Sequence, residues 1–98
     1  MTSAVSDIPA GLRQTRRTPS FTQETVPAAL LRDHSTKPGV WGLIRVEQGR
    51  LRYRVTDPAR EGTDRILTPH DRPGIVEPAI LHCVEPLGEV RFHVEFYQ

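Results

Sequence analysis

The sequence predicts an all-β fold, a sandwich or barrel of about eight short strands in one small domain. Prolines supply the first observation, because the chain has nine of them among 98 residues and an interior proline costs a helix about 3 kcal/mol. Seven of them recur from Pro27 to Pro86 at intervals typical of turns between strands. The second observation is an alternation of apolar and polar residues with a period of two, which a helix would scatter around its circumference.

Composition excludes several classes of protein. A chain of 98 residues is enough for one domain with one core. The formal net charge of +1 gives no reason to expect a nucleic-acid or membrane partner. We expect no signal peptide, because residues 1–10 have neither a basic start nor an apolar run. The single cysteine, Cys83, allows no intramolecular disulfide, so a reducing, cytoplasmic location is expected.

The chain divides into a predicted flexible N-terminal arm, residues 1–18, and a barrel formed by residues 19–98. The arm begins with small and polar residues and then carries Arg13, Arg16 and Arg17. A functional basic arm is one interpretation of these residues. A frayed terminus whose last part lies over the domain is the more ordinary one.

Two adjacent alternating segments predict a β-hairpin. The first, residues 40–46, places Val40, Ile44 and Val46 on one face of a strand. Gln48-Gly49 follows as the predicted turn. In the second segment apolar and basic side chains alternate, with Leu51, Tyr53 and Val55 opposite Arg50, Arg52 and Arg54. The basic stripe fits an anionic ligand or partner, or a solvated strand face balanced by acidic neighbours.

The C-terminal half predicts further short strands. They span residues 65–68, 75–77, 79–84 and 90–97, separated by polar and Pro-rich turns. In the last strand apolar and polar residues alternate; Phe92, Val94 and Phe96 lie opposite Arg91, His93, Glu95 and Tyr97.

The order of these segments resembles that of small cupins, and more specifically of the TehB/YeaR-like cupin domains, a family of unknown function associated by name with tellurite resistance. Three stretches carry the resemblance: residues 31–42 (LRDHSTKPGVWG), 77–84 (EPAILHCV) and 90–97 (VRFHVEFY). The likeness extends over roughly residues 12–98.

The resemblance implies a cupin-like double-stranded β-helix, or jelly-roll barrel, with a small cavity. It also implies a domain that either stands alone or precedes a methyltransferase domain. The sequence ends at Gln98, directly after the last predicted strand. We therefore expect no S-adenosylmethionine fold to follow and no methyl transfer by this chain.

The resemblance also implies candidate metal ligands. Cupins at large carry two His and a Glu in the first motif and one His in the second, and His34 and His82 match this pattern in part. Glu95 and His93 share one face of the last strand and are the candidates to complete the ligand set. We expect one divalent transition metal (Zn, Fe, Ni or Mn) and no organic cofactor. Alternatively, His34 and His82 are cavity residues that hydrogen-bond to carboxylates.

Four further residues are candidates for ligand binding. They are Thr36, Trp41, Tyr53 and Glu77. For the two aromatic residues, core packing or a dimer contact is the ordinary alternative. Cys83 follows His82 directly and therefore points to the other face of the strand, which excludes a nucleophile–base pair and favours a buried structural thiol.

These features predict a small metal-binding cupin of unassigned activity that binds or acts on a small, anionic molecule in its cavity, in a stress response. The alternative is a metal-free ligand-binding module or a structural dimer module without catalysis. Whether the protein is an enzyme stays open at this point. The expected partners are a small molecule and a second copy of the chain in a homodimer.

Overall fold

The structure, a computed structural model, describes residues 8–98 and is all-β in this part of the chain. Its strands are β1 (Gln14–Arg17), β2 (Phe21–Thr22), β3 (Trp41–Val55), β4 (Thr63–Leu67), β5 (Gly74–Val76) and β6 (His82–Tyr97). A single 3-10 turn, Ala28–Leu31, is the helical segment of the described residues. No helix among them is long and apolar enough to cross a membrane. The predicted all-β single domain is confirmed.

The six strands form one antiparallel sheet around a long central pair, β3 and β6. The strand order is β1-β6-β3-β4, with β2 also paired to β6 and β5 also paired to β3. The central pair stays in register from Trp41 opposite Tyr97 to Val55 opposite His82, interrupted by two bulges. Because β3 and β6 run side by side for their whole length, they position every other strand.

The predicted hairpin around Gly49 is wrong. Residues 41–55 form one continuous strand, and Gly49 lies opposite Val90 of β6 with a positive φ of 79°. A Cβ atom at Gly49 would collide with the carbonyl oxygen of Glu89, so a glycine bulge fits here where a side chain would not. Both halves of β3 pair with β6, and Gly49 therefore bends the strand instead of reversing it.

The strand β6 merges two predicted strands in the same way. The segments predicted at 79–84 and 90–97 belong to one strand from His82 to Tyr97, with Gly88 at a positive φ of 80° between them. Gly49 and Gly88 thus lie near the middle of the two central strands, where the sheet bends.

The bend brings the two halves of the sheet face to face over one core. A Cβ atom at Gly74, on β5, would lie 2.9 Å from Leu67 Cδ1 and 3.1 Å from Tyr53 Cδ2. The Tyr53 hydroxyl donates a 2.6 Å hydrogen bond to the carbonyl oxygen of Ile75. The core is apolar and combines both halves: Ile44, Leu51, Tyr53, Leu67, Val76, Val84, Val90, Phe92 and Val94. Each such side chain contributes about 1.5–3 kcal/mol through its burial.

The predicted N-terminal arm is partly a strand. Residues 1–7 lie outside the described part of the chain, whereas Gln14–Arg17 form β1 and pair with the end of β6. The Arg16 guanidinium lies 4.9 Å from the centre of the Phe96 ring, a cation–π distance. The division of the chain at residue 18 stays a prediction, with β1 inside the first segment.

Candidate functional site

The main concave feature is a cavity of about 500 Å³ between β1, the turn Ala28–Leu31, residues 34–40 and the inner face of the sheet. Its floor is apolar and comes from β3, β5 and β6; it consists of Ile44, Val76, Val84, Phe92, Val94 and Phe96. Exposed residues at the mouth include Arg16, Ser35 and Lys37. The volume falls in the range of pockets that hold small organic molecules.

His34 and His82 meet at one end of this cavity, as the sequence predicts. Their backbones exchange two hydrogen bonds, His34 N–H to the His82 oxygen and His82 N–H to the His34 oxygen, each 2.9 Å long. Their ring centres are 4.1 Å apart, with the ring planes tilted by 56°. An antiparallel bridge thus fixes the two imidazoles as a pair.

The hydrogen bonds of the two rings define their chemistry. The Nδ1 atom of His34 lies 2.9 Å from the Arg32 carbonyl oxygen, and Nδ1 of His82 lies 2.9 Å from that of Ile80. A carbonyl only accepts, so the proton of each neutral ring resides on Nδ1 and Nε2 keeps a lone pair. Burial lowers the pKa of His82, against the opposing effect of its bond to Ile80, with the His34 charge lowering it further. His82 is therefore a neutral acceptor at pH 7.

Tyr53 belongs to the core and is outside the residues that line the cavity, so its role in ligand binding stays a prediction without support from this placement. Its ring packs edge-on against His82 with 5.9 Å between ring centres, and its hydroxyl is held by Ile75. Burial, followed by the nearby Glu77 charge, raises the pKa of the Tyr53 hydroxyl. Tyr53 instead packs against the His82 ring and helps to hold it in place.

The other three residues predicted to bind a ligand differ in whether they line the cavity. Thr36 lines the cavity, with its hydroxyl donating a 2.7 Å hydrogen bond to the Val40 carbonyl oxygen. Trp41 and Glu77 are outside the cavity lining. Glu77 pairs with Arg60 across 2.9 Å at the surface, and the hydrogen bond from Arg60 lowers the pKa of the Glu77 carboxyl.

The predicted metal-ligand set is not assembled. His82 faces the cavity, whereas His93 and Glu95 lie on the outer face of the same strand, because odd and even positions of β6 point to opposite sides. Among residues 8–98, no group of three or more His, Cys, Asp or Glu side chains is arranged to hold a metal ion. A four-ligand metal site built from His34, His82, His93 and Glu95 is therefore wrong.

A second histidine cluster occupies the outer face, and its key residue, Glu47, was missed by the sequence reasoning. His93 Nδ1 lies 2.7 Å from Glu47 Oε2, and His93 Nε2 lies 3.0 Å from Glu95 Oε2. Ser20 donates a 2.7 Å hydrogen bond to Glu47, which lowers the pKa of that carboxyl together with the bonds from His93 and Arg91. The register of β3 on β6 creates this cluster, and that register is not visible in one sequence.

The carboxyl of Glu95 is ionised in the same cluster. Burial alone would raise its pKa, but hydrogen bonds from Arg45, His93 and Tyr97 lower it. An ionised carboxylate only accepts hydrogen bonds, so both contacts of His93 are satisfied when the ring carries a proton on each nitrogen. Unlike the cavity pair, this ring has no free nitrogen.

Comparison with known proteins identifies the family. The sequence profile of the TehB-like domain matches residues 16–94. The chain belongs to the TehB-like family. Two relatives from different strains of Haemophilus influenzae are 32% and 31% identical over 75 residues, which is 76% of this chain. Both are named "Probable S-adenosyl-L-methionine-dependent methyltransferase TehB". This chain spans about a quarter of their length, 26% in each case.

Two solved structures share the fold. The crystal structure of TehB from Haemophilus influenzae superposes with a TM-score of 0.80 at 28% identity, over 88% of this chain and 31% of that one. A protein from Escherichia coli strain K12 superposes with a TM-score of 0.77 at 25% identity, over 93% of this chain and 94% of that one. The fold therefore occurs both as part of a longer chain and as nearly all of a short one.

The names of the relatives correct two expectations. The relatives are named as methyltransferases, so the expected metal-binding cupin is wrong. Their names also imply S-adenosylmethionine, so the expected divalent metal and the expected lack of an organic cofactor are wrong as well.

The cavity does not fit S-adenosylmethionine itself. The cofactor carries a sulfonium cation and a ribose diol, and a nucleotide-type ribose is held by a carboxylate in dinucleotide-binding folds. Among the described residues, the lining holds the cations Arg16 and Lys37 but no Asp or Glu. The methionine carboxylate of the cofactor would pair with these cations, but its sulfonium and its ribose diol would find no carboxylate in the described part of the lining.

Proposed function

We propose that this chain serves S-adenosylmethionine-dependent methyl transfer by holding the methyl acceptor in the cavity between β1 and the inner face of the sheet. Membership of the TehB-like family supports the reaction class, because relatives are named as methyltransferases of this kind. The cationic mouth and the missing carboxylate support a role in binding the acceptor instead of the cofactor. The cofactor would then be bound by residues other than those of this cavity.

The observation that carries the proposal is the imidazole pair at the end of an apolar cavity. Nε2 of His34 and Nε2 of His82 each offer a lone pair, while the Nδ1 protons are held by backbone carbonyls. An acceptor with an O–H or N–H group would donate a hydrogen bond to one of these atoms. Its remaining surface would pack on partly exposed apolar side chains of the lining, Phe21, Leu30 and Phe96, and exclude water from them.

We also propose that the bent sheet is a jelly roll, the double-stranded β-helix expected from the sequence. The bends at Gly49 and Gly88 and the single core shared by both halves of the sheet support this architecture. An experimental structure of the chain would test it through the strand order and the closure of the barrel. The homodimer and the cytoplasmic location stay predictions.

A chimeric enzyme tests the proposed function. The segment of Haemophilus influenzae TehB that matches this chain is replaced by this chain, and transfer of labelled methyl groups from S-adenosylmethionine to a small-molecule cell extract is measured. Ser35→Trp fills the exposed mouth of the cavity and is expected to lower transfer about tenfold or more. Thr56→Trp, at an exposed position outside the cavity, is the matched control and should leave transfer unchanged.

Equal transfer by the two tryptophan variants would contradict the proposal. Loss of transfer in both variants, with normal unfolding curves, would show that the cavity has no special part in the reaction. Thermal unfolding of each variant is measured in parallel, so that a folding defect is separated from a blocked cavity.

A further inference from the structure

We infer that the molecule held in the cavity is a small organic anion with an apolar body, one acidic group paired with Arg16 and Lys37 and one hydrogen-bond donor directed to His34 and His82. This inference rests on the proposed function, since it names the class of acceptor for the same cavity. Three features of the cavity lining support this inference: its apolar side chains, its cations and its two imidazoles.

The apolar part of the lining requires an apolar body on the ligand. The apolar side chains of the lining that keep exposed surface for a ligand to cover include Phe21, Leu30, Val40 and Phe96. A simple inorganic anion would lose its hydration on this surface and find no donor there, which is costly. A hydrocarbon or aromatic ring would instead gain from each apolar area it covers.

Two cations of the lining, Arg16 and Lys37, favour a negatively charged group on the ligand. Arg16 and Lys37 both line the cavity and are exposed, and neither forms a salt bridge to another residue of the part of the chain between residues 8 and 98. Arg16 is held in place by the Phe96 ring at 4.9 Å. Among the described residues the lining holds no carboxylate, so the field beside Arg16 and Lys37 favours an anionic group.

The imidazole pair of His34 and His82 requires a hydrogen-bond donor on the ligand. Both Nδ1 protons are engaged by backbone carbonyls, so each neutral ring presents Nε2 as an acceptor. A carboxylate next to the Nε2 atoms would place its oxygen lone pairs against the nitrogen lone pairs, with no proton to form a hydrogen bond. The cations Arg16 and Lys37 and the two imidazoles therefore select different groups of one molecule, an acid and a hydrogen-bond donor.

A matched set of probes tests the inference by ¹H–¹⁵N NMR titration of the full chain. The lead probe is 4-hydroxyphenylacetate, which has an aromatic body, an acid and a hydroxyl. Phenylacetate lacks the donor, 4-hydroxyphenylacetamide lacks the charge, and acetate lacks the apolar body. We expect saturable shifts at cavity residues with the lead probe, and affinity weaker by about tenfold or more for each analogue.

Variants at the mouth locate the charge effect. Lys37→Gln combined with Arg16→Gln should lower the affinity for 4-hydroxyphenylacetate about tenfold and leave that for its amide unchanged. Arg50→Gln, another exposed arginine outside the cavity, is the control and should leave both affinities unchanged. Since all three residues are exposed, these variants are expected to fold normally.

Three results would overturn the inference: no shifts with any probe up to its solubility limit, equal affinity for acid and amide, or displacement of the lead probe by sulfate at equal concentration. These results are separable from failure of the proposed function. If the TehB chimera loses methyl transfer on Ser35→Trp but the probes show no preference for acid and donor, the acceptor class is wrong and the cavity's role stands.

Discussion

His82 and His93 lie on the same strand, are equally buried at 4% and 6% exposure, and have opposite chemistry. His82 faces the cavity with its Nδ1 bonded to a backbone carbonyl and its Nε2 free. His93 faces outward, where each ring nitrogen meets a carboxylate, Glu47 on one side and Glu95 on the other. Burial alone therefore does not distinguish a binding histidine from a structural one; the partners of its two nitrogens do.

The two faces of the central strand pair, β3 and β6, therefore have different roles. The outer face is an ionic cluster in which every ring nitrogen is used, so its contribution is to stability. The inner face keeps two acceptors without partners among the residues that line the cavity, which leaves them available to a bound molecule. The predictions below test this division, from the largest expected effect to the smallest.

Removing the outer imidazole should have the largest effect. His93→Leu leaves Glu47 and Glu95 near each other without the bridging ring, and we expect the free energy of unfolding to fall by about 3 kcal/mol. Urea denaturation measures it. His70→Leu, in an exposed turn, is the control and should change stability little. A loss below about 1 kcal/mol for His93→Leu would show that the cluster is not a stabilising unit.

Tyr53→Phe should destabilise the fold by about 1–2 kcal/mol, since the buried Ile75 carbonyl then loses its donor. Tyr97→Phe is the comparison variant, and it should cost less because the Tyr97 hydroxyl lies at a half-buried, outer position. Equal losses in the two variants, measured by thermal unfolding, would contradict the buried Tyr53–Ile75 hydrogen bond as the stronger contribution.

Acid should destabilise the two faces in different pH ranges. The pKa of His82 is lowered in the folded state from 6.5, so the unfolded state binds more protons and stability falls as pH drops through 6.5 towards the folded value. The pKa of Glu47 is lowered from 4.5, so its contribution is present above 4.5 and is lost as pH falls further. His82→Gln should remove the first loss, at most about 1.4 kcal/mol per pH unit, and Glu47→Gln the second. If His82→Gln leaves the stability profile between pH 7 and 5 unchanged, the account of His82 is wrong.

Glu77→Gln should have the smallest effect. The Arg60–Glu77 pair has side chains that are 44% and 38% exposed, and such pairs contribute about 0.5 kcal/mol or less. Glu77 was a sequence candidate for ligand binding and lies outside the cavity. Binding of 4-hydroxyphenylacetate should therefore be unchanged in this variant, and a clear loss would place Glu77 back at the site.

Much of the fold follows from local patterns that one sequence contains. Alternation at residues 51–55 and 90–97 correctly separates inner from outer side chains, because strand periodicity needs no knowledge of partners. The hairpin at Gly49 failed for the opposite reason: a glycine with positive φ makes either a turn or a bulge, and the pairing of both halves of β3 with β6 decides between them.

At the candidate site, too, the contacts that depend on packing and strand register could not be predicted from the sequence. The pairing of His34 with His82 was anticipated through the family resemblance, and Thr36 was placed correctly beside them. His93 and Glu95 were rightly placed on one face of their strand, but which side of the sheet that face occupies depends on packing. Glu47, almost half the chain away in sequence, joins them only through the strand register.

The central claim is that the cavity presents two bare Nε2 atoms while the outer ring has none. Long-range ¹H–¹⁵N correlation spectra of the imidazole rings at pH 7.5, with assignment by His34→Gln, His82→Gln and His93→Gln, test it directly. The account predicts that His34 and His82 carry a ring proton on Nδ1 and have Nε2 atoms that respond to 4-hydroxyphenylacetate, whereas His93, whose two ring nitrogens both face carboxylates, does not respond. A His82 ring protonated on Nε2, or a probe response at His93 and none at His34 or His82, would contradict it.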